Sequence, residues 1–428
     1  MLTGSYRKRL DADLIRWVGE GLVSAESATA IRRSLGQEGG FRLPALLGLF
    51  GGLLIASSVS AFVAANWEEM PRLVKLGLIL VALAISLGVA ARLESRGSTG
   101  GADAAATCGV LIFAAGVALV GQMYHLPTDW PGGALLIAVG ALIAAFLLRS
   151  NGALVIAIVA ICAWTGGRWD ESDGEVHLGF WLAFLPALWL AATRQNRLVH
   201  HVAVLAALLW FASLPGNASF MRFDYGLLAY GLALSVLFVT LGAWALDRGG
   251  PGLLTACLPW GLIGLILSLN VELIRILDAH QARPGTAIWL NYFAYALAIP
   301  ALTGLGLLGR ERHFVWPLSL ALLLSLLVPV FFWSGGAVSL PGKVAVATLI
   351  LAIAIGLVVA GAGGGVRRLT IAGSALFAVA VLILLWQTIG TLLDQSLFFL
   401  AAGAILIGLA SGARRLLAKF ARPTEVAS

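Results

Sequence analysis

From Pro44 almost to its end, the chain is a succession of apolar runs separated by short polar turns. The runs are about 20 residues long, the length that one helix needs to cross the hydrocarbon core of a bilayer. They are continuously apolar rather than alternating with period two, which selects helices over a barrel, because a helix satisfies its own backbone hydrogen bonds in lipid. Charge makes the same point. Only 11% of residues are charged and 60% are hydrophobic, with a mean hydropathy of +0.95. A soluble domain carries about 25% charged residues, so this chain cannot cover itself with a water-compatible surface. The predicted fold class is all-α, a polytopic transmembrane helix bundle.

Fourteen spans are predicted, roughly 44–65, 73–91, 105–121, 132–148, 152–166, 178–192, 198–213, 226–246, 252–269, 288–308, 315–333, 343–361, 369–387 and 396–412. Lys and Arg accumulate in cytoplasmic loops, which tests the count. With alternate loops summed, 21 of the 28 Lys and Arg residues fall on the side of the N-terminus and 7 on the other. A missed or invented span would blur that contrast. The expectation is therefore a bacterial inner-membrane protein with both termini cytoplasmic. Its parts would be a helical hairpin (1–43), the bundle, and a basic cytoplasmic tail (413–428). The cytoplasmic loops, TRQNRLVHH and GRERH among them, would meet anionic lipid headgroups. The sequence pI of about 9.7 follows from these loops. Nucleic-acid binding would want a basic face with interleaved aromatics on a soluble module, and none is present.

Residues 10–36 read as two short helices. Leu14, Trp17, Val18 and Leu22 form one apolar stripe, Gly21 closes the first helix, and Ser24 caps the second, which carries Ile31 and Leu35 up to Gly36. The pair fits a hairpin on the membrane surface, or a docking element for a protein partner or a second copy of the chain. The first apolar run is too long for a signal h-region and should act as an uncleaved anchor. Cys108, Cys162 and Cys257 each fall inside an apolar run, without metal-site spacing, and read as small buried hydrophobes.

Chemistry-bearing residues gather on the predicted outer side. ANWEEMPRLVK contributes Asn66, Trp67, Glu68 and Glu69, and GQMYHLPTDWPGG contributes Gln122, Tyr124, His125, Asp129 and Trp130. Trp and Tyr suit the headgroup layer, while Pro127 and Pro131 give the second loop a fixed shape. Gln122, His125 and Asn66 sit at span ends, where an unpaired polar group is costly. They are satisfied either by one another, as a structural clamp, or by a ligand. His125 and Asp129 are four apart across Pro127 with no second His nearby, so no metal and no cofactor is expected. His200, His201 and His313 lie beside arginines at the opposite interface. RWDESDGEVH lacks EF-hand spacing and reads as a solvated loop. NVELIRILDAHQARPG reads as an extension of the ninth span or an interfacial helix. No Asp, Glu, Lys or Arg is expected in mid-span.

The hairpin with W…GLVSAE, the A-N-W motif after the first span, and G-Q-x-Y-H-L…D after the third resemble DUF2157, a family of predicted bacterial membrane proteins. The resemblance covers roughly residues 10–155, marking 44–155 off from the remaining bundle, 156–412. It implies a polytopic inner-membrane protein of unassigned biochemistry, and Asn66, Trp67, Gln122, Tyr124, His125 and Asp129 coincide with its motif positions. Three functions stay open. A non-catalytic envelope scaffold, sensor or assembly subunit would dock partners through residues 1–36 or the outer loops. A transporter or flippase-like protein would pass a lipid or apolar solute without a buried carboxylate for proton coupling. An outward-facing enzyme on a lipid-linked substrate would use Glu68, Glu69, His125 and Asp129, but no nucleophile elbow, phosphate loop or zinc motif accompanies them.

Overall fold

The computed structural model describes residues 4–34, 70–125, 129–215, 225–278, 288–311 and 340–387, with 315, 319, 322–323 and 326. The chain divides into two compact units, Met1–Lys75 and Leu76–Ser428. The described elements of both are helical.

In the first unit, α1 (Gly4–Gly19) and α2 (Ala25–Ser34) form the expected hairpin. Gly21 has a φ of +73°. Around it the Leu22 N–H reaches the Trp17 carbonyl at 2.9 Å and the Gly21 N–H reaches that of Val18, so that a left-handed glycine ends the helix. Ser24 caps α2 by accepting from the Ser27 N–H at 3.1 Å. Leu14 and Ala28 are buried. Leu22, placed on the apolar stripe by spacing alone, is 70% exposed because it lies beyond the terminating glycine. Leu35 and Gly36 lie outside the described residues.

The remaining helices are α3 (Arg72–Ser95), α4 (Thr99–Met123), α5 (Trp130–Leu147), α6 (Asn151–Glu171), α7 (Gly179–Thr193), α8 (Arg197–Ser213), α9 (Tyr225–Asp247), the short α10 (Gly252–Thr255), α11 (Cys257–Asp278), α12 (Ile288–Glu311), α13 (Leu340–Gly363) and α14 (Arg367–Gln387). Eight stretches among the described residues are long and apolar enough to cross a membrane, and three shorter apolar helices accompany them. They coincide with eleven of the fourteen expected spans. The spans at 44–65 and 396–412, and nearly all of 315–333, lie outside the described residues.

Two cores hold the second unit. One joins α5 through α8, where Ala138, Ala141 and Ala145 of α5 meet Ala153, Leu154 and Ala157 of α6. The other joins α9, α11, α12, α13 and α14 around Leu258, Leu265, Leu269, Ile353 and Leu376. Lipid tails are as apolar as leucine, so close backbone approach through small residues supplies much of the attraction between such helices. Gly261 of α11 lies where an added Cβ would come within 2.6 Å of the Val239 nitrogen, and Gly264 within 2.6 Å of Ser235 Oγ. Polar ties cross the lipid-depth region as well. Thr240 Oγ1 donates to the Ala301 carbonyl at 3.2 Å, and Trp244 Nε1 donates to that of Gly304 at 2.8 Å.

Helix ends sort onto two faces. On one, the Asp103 carboxylate accepts from Ser150 Oγ at 2.6 Å and the Gly152 N–H at 3.0 Å, tying α4 to the start of α6. Arg194 donates to the carbonyls of Ala145 and Arg149 on that face. On the other, Asp129 meets Arg168, Trp210 Nε1 donates to the His177 carbonyl, Tyr230 donates to that of Phe211, and Lys343 Nζ donates to that of Leu277.

One open alternative is settled and one expectation, the burial of all three cysteines, needs correction. Helices run past the limits set by their apolar cores, and carboxylates come with them. Asp103 sits in the second turn of α4, and Glu272 lies inside α11 with 3% exposure beside Asn270 at 7%. The segment beginning at Asn270 is thus a continuation of its span. Its apolar face could not be buried without taking Glu272 in, whereas Arg275 stays exposed. Of the three cysteines, Cys257 is buried, Cys162 half-buried and Cys108 exposed, so an apolar run did not guarantee burial within the bundle.

Removing the Asp103 carboxylate leaves Ser150 Oγ and the Gly152 N–H without their acceptor. Hydrogen bonds to a charged group contribute about 1.5–3 kcal/mol, so Asp103→Ala should lower the unfolding midpoint in detergent clearly. Asp103→Asn should lower it less, because the amide oxygen still accepts.

Candidate functional site

At the Asp129 face, α3, α4 and α5 enclose a groove of about 1280 Å³. Its walls are apolar, with Ile79, Leu83, Phe113 and Leu136 among them, and Gln122, His125, Asp129 and Trp130 stand along its lining. The groove exists because α3 touches α4 mainly nearer the other face. There Ser86 Oγ donates to the Ala105 carbonyl at 2.8 Å, and Leu87 fills the space over Gly109. Toward the Asp129 face the tip of Ile79 lies over Gly116. The structure thus brings together four of the expected site residues. Tyr124 is exposed and outside the groove lining, and Asn66, Trp67, Glu68 and Glu69 lie outside the described residues.

Asp129 is the best fixed of the four. Its Oδ1 accepts from the Gly132 N–H at 2.9 Å, capping α5, and Pro131 takes a first-turn position where a missing N–H costs nothing. Arg168 Nη2, from the last turn of α6, lies 3.0 Å from the same carboxylate, and Arg168 Nη1 donates to Glu171 at 2.8 Å. Gly167 makes this possible, since an added Cβ there would come within 2.6 Å of both Pro131 and Trp130. The Gly132 hydrogen bond first, then the Arg168 guanidinium, hold the Asp129 carboxyl below its ordinary value. Arg168 was the signal that sequence reading missed. It is 39 residues away, in a segment that reads as a solvated loop.

His125 has a φ of +50°, the left-handed region. It follows Tyr124, the residue that caps the C-terminus of α4, and its N–H reaches back to the Gln122 carbonyl. That is the helix-terminating position that glycine usually fills. Arg149 after α5 and Asp173 after α6 do the same, with φ of +49° and +54°. The conformation of His125 is therefore a helix ending and not in itself a mark of chemistry. A left-handed conformation costs an L-residue about 1–2 kcal/mol, so His125→Gly should raise the thermal midpoint while deleting the imidazole. A fall instead would mean that the ring makes stabilising contacts.

His177 completes this face. Its ring packs edge-on against Trp164 at 4.4 Å, with Nδ1 3.4 Å from Thr165 Oγ1. Burial first, then the Arg168 charge, push its pKa below the ordinary 6.5. A base whose folded pKa is lowered contributes stability that is complete above its unfolded pKa and is lost as pH falls through the folded value. Acidification below pH 6.5 should therefore begin to lower the midpoint, and His177→Gln should flatten that slope. Asp129, also lowered, adds its own loss only below 3.8. Among the described residues, no three His, Cys, Asp or Glu side chains gather closely enough to hold a metal ion.

Helices of this length and hydropathy, packed through small residues and joined by short turns, define a multi-pass helical membrane protein. Residues 15–154, about a third of the chain, match the model of a family described as Predicted membrane protein (DUF2157). The match runs from α1 into the first turn of α6 and takes in the whole lining of the groove except Ala163. No curated protein and no solved structure matches the chain.

Proposed function

We propose that the protein is a non-catalytic scaffold or assembly subunit of the bacterial inner membrane, crossing it fourteen times with both termini in the cytoplasm and the His125–Trp130 turn outward. The observation that carries this reading is the engagement of Asp129. Its carboxylate is committed to the Gly132 N–H and Arg168, and the arginine is also committed to Glu171. Groups held in this way shape a surface rather than move protons. The orientation rests on charge. Arg149, Arg194, Arg197, Arg248, Arg367 and Arg368 belong to one face of the described bundle, against Arg168, Arg275 and Lys343 on the other, and the arginine-rich face is the cytoplasmic one by the positive-inside tendency.

Two experiments test it. A cysteine placed at position 125 should react with an impermeant thiol reagent from the periplasmic side of sealed vesicles, and labelling from the cytosolic side would reverse the topology. A partner protein should co-purify and be lost on deleting residues 1–36 or altering the Gln122–Trp130 turn. Glu68→Gln should leave that association intact, and loss of a lipid-modifying activity in Glu68→Gln or His125→Ala would favour an enzyme.

A second reading has one specific observation behind it. The groove has apolar walls and a polar end, the two-part chemistry of a membrane lipid. Passage of a lipid along it would make the protein flippase-like. Movement of fluorescent lipid between leaflets of proteoliposomes, abolished by Leu136→Trp in the groove wall, would favour passage over scaffolding.

A further inference from the structure

On the face opposite Asp129, three turns that are remote in sequence converge on a second cavity, of about 850 Å³. Arg194 comes from the turn between α7 and α8, Arg197, His200 and His201 from the first turns of α8, Arg367 and Arg368 from the start of α14, and Gly252 from the start of α10. We propose that this cavity binds a phosphate-bearing anion. Four guanidiniums line it and no Asp or Glu does. Among the described residues no carboxylate lies within ion-pairing distance of any of the four. Like charges gathered in a partly enclosed space repel one another unless an anion enters, and the planar guanidinium fork matches phosphate oxygens in particular.

The wall is built in advance of any ligand. Arg194 is held by the carbonyls of Ala145 at 3.0 Å and Arg149 at 3.2 Å, while its buried Nε–H has no protein acceptor. Buried His200 uses Nε2 to reach the Arg194 carbonyl at 2.7 Å, which holds the turn. Gly252 is required opposite that ring, because an added Cβ would come within 2.7 Å of it. Helix α14, of 21 residues, begins at Arg367 in the cavity wall and turns its positive dipole end the same way. Basic pockets between transmembrane helices are where phospholipid headgroups seat. A soluble phosphate compound would meet the same groups, and the inference holds whichever way the chain is threaded.

The test uses the full-length protein and two probes. Native mass spectrometry after exchange into phosphatidylcholine vesicles, with and without phosphatidylglycerol, reads retained anionic lipid. Thermal shift in phosphatidylcholine alone, with added inorganic pyrophosphate, reads the soluble source. Arg367→Gln/Arg368→Gln changes two exposed side chains and should weaken whichever probe binds by about tenfold or more. Arg92→Gln/Arg96→Gln, on the same face but outside the cavity, should leave it unchanged. Retained lipid that pyrophosphate does not displace assigns the headgroup, and a pyrophosphate shift without retained lipid assigns the soluble anion. Binding of neither probe would overturn the proposal. So would equal weakening by both double variants, which would reduce the effect to diffuse surface charge.

Discussion

Gly261→Ile is expected to prevent the second core from assembling. The obstacle is backbone, not side chain: a Cβ at 261 would fall 2.6 Å from the Val239 nitrogen and 2.9 Å from the Phe238 carbonyl carbon. Side-chain obstacles can rotate away, whereas here α9 and α11 must separate along the seam that also contains Gly242 and Gly264. Overpacking a core usually costs about 1–3 kcal/mol, and separating two helices also forfeits dispersion contacts along the seam. A loss of about 3 kcal/mol or more is a large share of a typical stability of about 5–15 kcal/mol. The expected result is little monodisperse protein after detergent extraction and a collapsed thermal midpoint. Gly306→Ile in α12 is the control, since its added Cβ meets nothing within 4 Å. If the two variants behaved alike, close approach of α9 and α11 would not be what holds this core.

How much of this could be read from the chain divides by physical range. Apolar runs marked the helices, because crossing a bilayer imposes a length. The hairpin was legible down to Gly21 and Ser24, because a left-handed glycine and a capping hydroxyl act within a few residues. Helix ends were less so. Glu272 interrupts an apolar pattern and reads as surface, yet α11 carries it inward because Leu269, Leu273 and Ile276 on the same helix are all buried. Pairings between turns were the least legible. Ser150 meets Asp103 across 47 residues, and Arg194 meets Ala145 across 49. Nothing local in either sequence anticipates its partner.

The same limit explains the two cavities. The groove lies largely within one stretch of chain, so its polar residues stood out together as Gln122, His125, Asp129 and Trp130. The arginine-lined cavity draws on turns near 195, 252 and 367, each of which reads alone as an interfacial loop with a few charges. Loops that look interchangeable by composition become a site only when helix packing brings their ends together.

Gly167→Val tests whether the Asp129 face is a clamp or something costlier. A larger side chain at 167 must displace Trp130, which is exposed and free to swing, and Pro131, which is buried in the first turn of α5. Moving that turn draws Asp129 away from Arg168. The ion pair itself is half-exposed, 51% at Asp129 and 37% at Arg168, and solvent screening leaves pairs of that kind with little to contribute. A lost helix cap adds about 1 kcal/mol. Asp129→Asn, whose amide oxygen can still cap α5, should therefore cost little, whereas Gly167→Val should cost about 2 kcal/mol by overpacking. The order is the informative part, and unfolding midpoints at pH 7 in one detergent measure it. A larger loss in Asp129→Asn than in Gly167→Val would mean that the carboxylate does more than cap and pair. It would then be a group the protein keeps for its charge, and the scaffold reading would give way to one in which the groove acts on what it holds.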